Sequence, residues 1–198
     1  MKKVLMLLLA VVLSLALVAC SSPVAAQEVK SGKARDTAPQ ITAAELEELV
    51  AGNSEFAFKL YQSLKDEDGN LFFSPYSLTL ALAMAYAGAR GETATQMADT
   101  LGFTLPDETL HEAFNYLALE LAKRATIPNK TLSGKDDEGF RFNVVNDAWG
   151  QRDFKFESAY LDTLAVNYGA GIRLVDFIKD AEGARQIIND YIAEKTEG

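Results

Sequence analysis

The chain has 198 residues, 48% hydrophobic and 24% charged, with 19 Lys and Arg against 28 Asp and Glu, a formal net charge of −9, one His and one Cys. This mixture excludes a disordered or collagen-like chain and allows a packed core, and the acidic balance without a Lys/Arg cluster gives no footprint for nucleic acid. A single Cys excludes an internal disulfide, and with one His no structural zinc site is expected.

Met1-Lys2-Lys3 is a short basic start, and residues 4–19 are apolar apart from Ser14. Sixteen residues fall short of the roughly 20 that span a bilayer, so the run reads as the apolar part of an export signal. It ends Leu17-Val18-Ala19-Cys20-Ser21-Ser22, which resembles a bacterial lipobox, in which the Cys becomes the acylated first residue. Cys20 is therefore the expected lipid attachment, the chain is expected to be exported and membrane-anchored on the periplasmic or extracellular side, and two or more acyl chains would hold it stably. Cleavage would remove Lys2 and Lys3 and make the exported body still more acidic. Residues 20–42, polar and without an apolar period, read as a flexible tether.

Thr42 and Glu45 have capping-box spacing, and Leu46, Leu49, Val50, Ala57, Leu60, Tyr61 and Leu64 recur at helical intervals. The helix gives way at Asp66-Glu67-Asp68-Gly69-Asn70. An EF-hand placed on Gly69 would put its first ligand on Leu64 and its bidentate acid on Pro75, so calcium is not expected.

Leu71-Phe72-Phe73 reads as a short strand, and Ser74-Pro75 as a capping hydroxyl followed by proline at the first helical position. The helix over residues 75–87 is apolar on every side, which predicts a central element buried all round. Thr93 is the expected cap of a short helix stopped at Gly102, and another helix covers residues 107–124 with Leu110, Ala113, Phe114, Leu117 and Leu121 as its buried stripe. His111 lies one position off that stripe beside Glu112 and reads as a surface histidine.

Residues 126–139 are polar, with Pro128, Gly134 and Asp136-Asp137-Glu138, and read as a loop. Residues 140–149 read as a strand, 157–168 as a helix buried through Tyr160, Leu164 and Tyr168, and 172–177 as a second strand. Ala184, Ile187, Ile188, Tyr191 and Ile192 mark a last amphipathic helix. Helices and strands alternate unevenly, without a repeat period, which predicts an α+β fold.

The stretch Asn70-Leu71-Phe72-Phe73-Ser74-Pro75-Tyr76-Ser77-Leu78, then Ala81-Leu82-Ala83-Met84, Gly88-Ala89-Arg90-Gly91-Glu92-Thr93 and Met97-Ala98-Asp99-Thr100-Leu101-Gly102-Phe103, resembles the serpin family of protease inhibitors. The resemblance continues in order through Val145-Asn146-Asp147-Ala148-Trp149-Gly150, Leu174-Val175-Asp176-Phe177, Ile188-Asn189-Asp190-Tyr191-Ile192 and Thr196-Glu197-Gly198. It implies the N-terminal portion of the serpin fold over residues 43–198, after a signal over 1–19 and a tether over 20–42.

The resemblance further implies a suicide-substrate inhibitor of serine or cysteine endopeptidases, which traps its protease by inserting a cleaved reactive loop into a large sheet. On the same grounds that loop and the strands it enters lie beyond residue 198, and this chain by itself is expected to be inactive. Ser74, Ser77 and Asn189 match the family's shutter, a hydrogen-bonding cluster under the strands that part; read locally, they are a helix cap, a first-turn serine and an exposed amide. A non-inhibitory serpin acting as a binding or structural protein is the alternative. No enzyme activity, cofactor or catalytic residue is implied. Heparin is not an expected partner, because Asp107, Glu108, Glu112 and Glu120 outnumber Lys123 and Arg124 on the helix concerned.

Overall fold

The computed structural model describes residues 26–125 and 144–196. Its elements are β1 (Gln27–Val29), α1 (Ala43–Leu64), α2 (Pro75–Tyr86), α3 (Gly91–Leu101), α4 (Asp107–Ala125), β2 (Ala148–Gln151), α5 (Ser158–Thr163) prolonged by a π-helical turn at Leu164–Tyr168, β3 (Ile172–Val175) and α6 (Ala181–Thr196). This is an α+β arrangement in which helices dominate.

Local chemistry sets several boundaries. Thr42 Oγ1 accepts from the Glu45 amide at 3.2 Å while the Glu45 carboxylate accepts from the Thr42 amide at 2.7 Å, the reciprocal bonding of a capping box at the start of α1. The Thr42 amide, and the Thr42 hydroxyl that donates to the same carboxylate at 2.8 Å, hold the Glu45 carboxyl below its usual range. Gly102 ends α3 with φ +69°. A Cβ built at Gly52 would lie 2.1 Å from the Gly102 carbonyl oxygen, so α1 and the end of α3 meet backbone to backbone through two glycines.

The sheet has the order β1-β3-β2. β2 pairs parallel with β3, Trp149 opposite Arg173, and α5 with its π turn supplies the crossover that parallel neighbours require. β1 pairs antiparallel with the other edge of β3, Gln27 opposite Leu174 and Val29 opposite Ile172. The core forms two clusters. Leu49, Leu80, Ala83, Leu101, Phe103, Leu105, Leu110, Ala113 and Phe114 fill the space among α1 to α4, and Met84, Leu164, Ile172 and Leu174 join α2 to the sheet. Tyr168 packs against both.

The structure departs from the sequence reading in several places. The segment read as a tether over 20–42 is docked on the body from residue 27, because its polar groups bond to distant elements; residues 20–25 lie outside the described residues. Leu71–Phe73 forms no strand: no described segment pairs with it, and Phe72 is 96% exposed. α2 is buried on one face only, through Thr79, Leu80, Ala83 and Met84, with Leu78 and Leu82 left exposed on the other. α3 starts at Gly91 with no side-chain cap, so Thr93 lies inside it. The strand read over 140–149 is shorter and later, at 148–151; residues 140–143, like the loop over 126–139, lie outside the described residues. Among the described residues no helix is long and apolar enough to cross a membrane, and no group of three or more His, Cys, Asp or Glu is placed to hold a metal.

Candidate functional site

The site begins at the N-terminus of α2. Ser74 has extended backbone and caps the helix, its Oγ accepting from the Ser77 amide at 3.3 Å, with Pro75 next in the first turn, where no amide donor is needed. The Ser74 hydroxyl also donates to Ser77 Oγ at 3.0 Å. Asn146, two residues before β2, donates from Nδ2 to the Ser77 carbonyl at 3.3 Å. The two hydroxyls and the chain entering β2 therefore form one linked group. One turn on, the fully buried Thr79 hydroxyl donates to Asn53 Oδ1 at 2.8 Å and ties α2 to α1.

Space remains on both sides of this group. A cavity of about 230 Å³ lies between α2 and α4, with Tyr76, Leu80, Val144, Asn146 and Tyr168 in its wall. Burial pushes the Tyr76 hydroxyl up to about 12, against the pull of the neighbouring Arg35 guanidinium. A larger cavity of about 480 Å³ separates α2 from α6, walled by Ala81, Met84, Asn146, Trp149, Ile188 and Ile192. Small side chains on α2 leave this space between the two helices unfilled.

α6 is held instead by a polar clamp on the sheet. Arg173 on β3 donates from Nε to Asp147 Oδ1 at 3.1 Å and from Nη2 to the Tyr191 hydroxyl at 3.1 Å, and that hydroxyl donates to Asp147 Oδ2 at 2.8 Å. The guanidinium also lies over the Tyr191 ring, 4.2 Å from its centroid, and Trp149 meets that ring edge-on. Burial opposes the charge on Arg173, but Asp147 and Tyr191 outweigh it and hold the guanidinium above its usual value. Burial and the bond to Asp147 raise Tyr191.

Of the residues singled out from sequence, Ser74 and Ser77 are brought together. Asn189 is exposed on α6 and makes no hydrogen bond to either serine; Asn146 occupies the amide position beside Ser77 instead. Cys20 lies outside the described residues. Sequence reasoning missed the Asp147–Arg173–Tyr191 clamp, whose three members come from separate segments. Their alternating strand positions and the aromatic in Asn189-Asp190-Tyr191 were the available signals.

His111 is also corrected. It is 5% exposed, not a surface residue, and its Nδ1 is hydrogen-bonded to the Tyr168 hydroxyl at 2.6 Å. Burial lowers its pKa to about 4, partly offset by Asp107. Its hydrogen bond goes to a phenol and to neither serine of the site.

A family model described as "Serpin (serine protease inhibitor)" matches residues 51–198. The chain is 36% identical over 155 residues to leukocyte elastase inhibitor of Xenopus laevis, covering 77% of this chain and 38% of that protein. It is 36% identical over 153 residues to serpin B6 of Pongo abelii, covering 76% and 38%. Among solved structures, reactive-loop-cleaved human thyroxine-binding globulin matches with a TM-score of 0.60 at 28% identity, over 77% of this chain and 43% of that one. The chain thus spans less than half the length of these relatives.

Proposed function

Since the chain belongs to the serpin family, we propose that it forms the N-terminal portion of an exported, lipid-anchored inhibitor of serine or cysteine proteases. The observation that supports the inhibitor is the family match over residues 51–198, seconded by relatives named for elastase inhibition; the export and the anchor rest on the sequence ending in Cys20 alone. In such an inhibitor the protease attacks a reactive loop and is acylated by it. The loop then inserts into the large sheet before the acyl bond is hydrolysed, so the protease stays covalently attached and distorted.

In this scheme the described half is the mount against which the sheet opens. Ser74 and Ser77, linked through Asn146 to the entry of β2, let the strands part without stranding a buried polar group, and Asn189 joins them if α6 moves toward α2. The reactive loop belongs to the family length that this chain does not span, so the 198 residues alone are inactive as an inhibitor. Acylation at Cys20 would hold the protein at the outer face of the membrane. A second reading, a serpin that binds a ligand without inhibiting, is favoured by the structural likeness to a protein named for thyroxine binding.

Incubation of the full-length protein with a panel of serine and cysteine proteases separates the readings. A protease–serpin complex that survives denaturing electrophoresis is expected from the full-length protein and not from the 198-residue chain. Loop cleavage without any such complex would favour the binding protein and sink the inhibitor. Incorporation of labelled palmitate, lost in Cys20→Ser, tests the anchor separately.

A further inference from the structure

The segment that composition presents as a tether is fastened to the body. After β1 pairs with β3, Lys30 donates from Nζ to the Gly169 carbonyl at 2.6 Å, and Ser31 donates to Asp162 Oδ1 at 2.5 Å. Asn115 on α4 is fully buried, and both ends of its amide are used on the segment: Oδ1 accepts from Arg35 Nε at 2.9 Å and Nδ2 donates to the Asp36 carbonyl at 2.8 Å. With residues 27–36 held as a strap, only residues 21–26 separate Cys20 from the sheet. Fully extended, that length spans at most about 25 Å, against about 75 Å for a free tether over 20–42.

The strand register fixes where the chain from Cys20 arrives. β1 runs antiparallel to β3 and puts Gln27 opposite Leu174, so the preceding residues approach the C-terminal end of β3. β2 runs parallel to β3 with Gln151 opposite Val175, so the turn after β2 leaves the sheet at that same end. Gln151 ties the two turns together, its Oε1 accepting from the Ile178 amide at 3.2 Å and its Nε2 donating to Asp176 Oδ1 at 3.1 Å. The Phe154 amide closes the first turn on the Gln151 carbonyl at 3.3 Å.

These turns carry large apolar side chains to solvent: Phe154 is 62% exposed, Phe177 42% and Ile178 72%. Arg152, Lys155 and Lys179 are exposed beside them. The Asp176 and Asp180 carboxylates accept from the Lys179 and Gly183 amides, which leaves Asp153 against three bases on a chain whose net charge is −9.

We propose that this end of the sheet, formed by residues 152–155 and 177–180, lies against the lipid surface and enters its headgroup layer through Phe154, Phe177 and Ile178. The proposal rests on the Cys20 anchor proposed above. Two independent observations select a bilayer as the occupant. The register brings the anchored chain in at the same end as the apolar side chains, and the short remaining reach keeps that end at a high effective concentration of lipid. The chemistry also fits: aromatic and aliphatic side chains enter the acyl boundary while Arg and Lys stems lie along it and bring their charges to the phosphates. The strap thus converts a loose tether into a mount with a fixed orientation.

The test uses the mature full-length protein, starting at Cys20. It is ligated through that N-terminal cysteine to a thioester-bearing lipid in vesicles of phosphatidylcholine and phosphatidylglycerol, which supplies the anchor whether or not a cell acylates it. Hydroxyl-radical footprinting is expected to modify Phe154, Phe177 and Ile178 on the order of tenfold more slowly in the ligated protein than in the free one, with Phe58 and Tyr61 on α1 unchanged. In the ligated Phe177→Ser, Ile178→Ser double variant, whose changes are at exposed positions, Phe154 is expected to return to the free rate. Equal rates for the patch in free and ligated protein overturn the proposal, as does undiminished protection of Phe154 in the double variant. Slow modification of the patch in the free monomer would assign its cover to the rest of the chain, and protection that grows with protein concentration without vesicles would assign it to a second copy; either result overturns the proposal. Failure of the palmitate experiment would remove the cellular anchor and leave these rates unaffected, so the two readings fail separately.

Discussion

Toward α1, α4 and the sheet, α2 presents Thr79, Leu80, Ala83 and Met84, none more than 8% exposed, while Leu78 and Leu82 on its other side are 38% and 39% exposed and Phe72 just before it is 96% exposed. Both faces are largely apolar, so hydrophobicity alone does not tell them apart. What differs is whether this chain supplies a neighbour. The inner face has α1, α3 and α4 packed on it with the Tyr86, Phe103 and Phe114 rings in edge-to-face contact. Beside the outer face lies the 480 Å³ cavity under α6, walled on α2 by Ala81, Met84 and Ala85, while Leu78 and Leu82 face solvent. On the proposed reading, the rest of the family's length covers it.

The sharpest way to break this comparison is to truncate one aromatic on each side of the 198-residue chain. Phe114→Ala, at a residue 1% exposed, is expected to cost about 3–5 kcal/mol in urea unfolding. Phe72→Ala is expected to cost less than about 0.5 kcal/mol in the same chain. Equal losses would mean that the outer face is packed after all.

A smaller effect probes the inner side through pH. The folded His111 pKa of about 4 lies below the unfolded value near 6.5, so between those values the unfolded chain binds a proton that the folded chain does not. Stability is therefore expected to fall as pH drops from 6.5 toward 4, by on the order of 3 kcal/mol from this group. His111→Gln should flatten that part of the pH profile, and urea midpoints at pH 7 and pH 4.5 for both proteins check it.

On the outer side, Asp147→Ala removes the acceptor of Arg173 and frees α6. With these side chains 17% and 24% exposed, the cost is expected at about 1–2 kcal/mol, below that of a fully buried pair, with faster amide exchange through α6. Smaller again is Ser74→Ala, where loss of the α2 cap is expected to cost about 1 kcal/mol. Thermal unfolding resolves both.

The same contrast explains what was legible in the sequence. Thr42 with Glu45, Ser74 with Pro75, and the stripe Leu110, Ala113, Phe114 act over one or two turns, and each is found where the pattern puts it. Features made between distant segments were not legible. Leu71–Phe73 has strand composition, but a strand exists only with a partner, and no described segment provides one. His111 lies next to Glu112 and off the stripe, yet Tyr168, from another element, closes over it. The strap looks like a linker because it is polar, and its polar groups are what dock it. At the candidate site, Ser74 and Ser77 were readable through the family resemblance, with Ser74 also legible as a helix cap before Pro75, whereas Asn146 and the Asp147–Arg173–Tyr191 clamp depend on tertiary placement.

The central claim, that the outer face of α2 is open in this chain and covered in the complete serpin, can be measured by hydroxyl-radical footprinting of both proteins under the same conditions. Phe72 and Leu82 are expected to be modified readily in the 198-residue chain and to be at least tenfold protected in the full-length protein, with Phe114 protected in both. Equal modification of Phe72 in the two proteins would contradict the account.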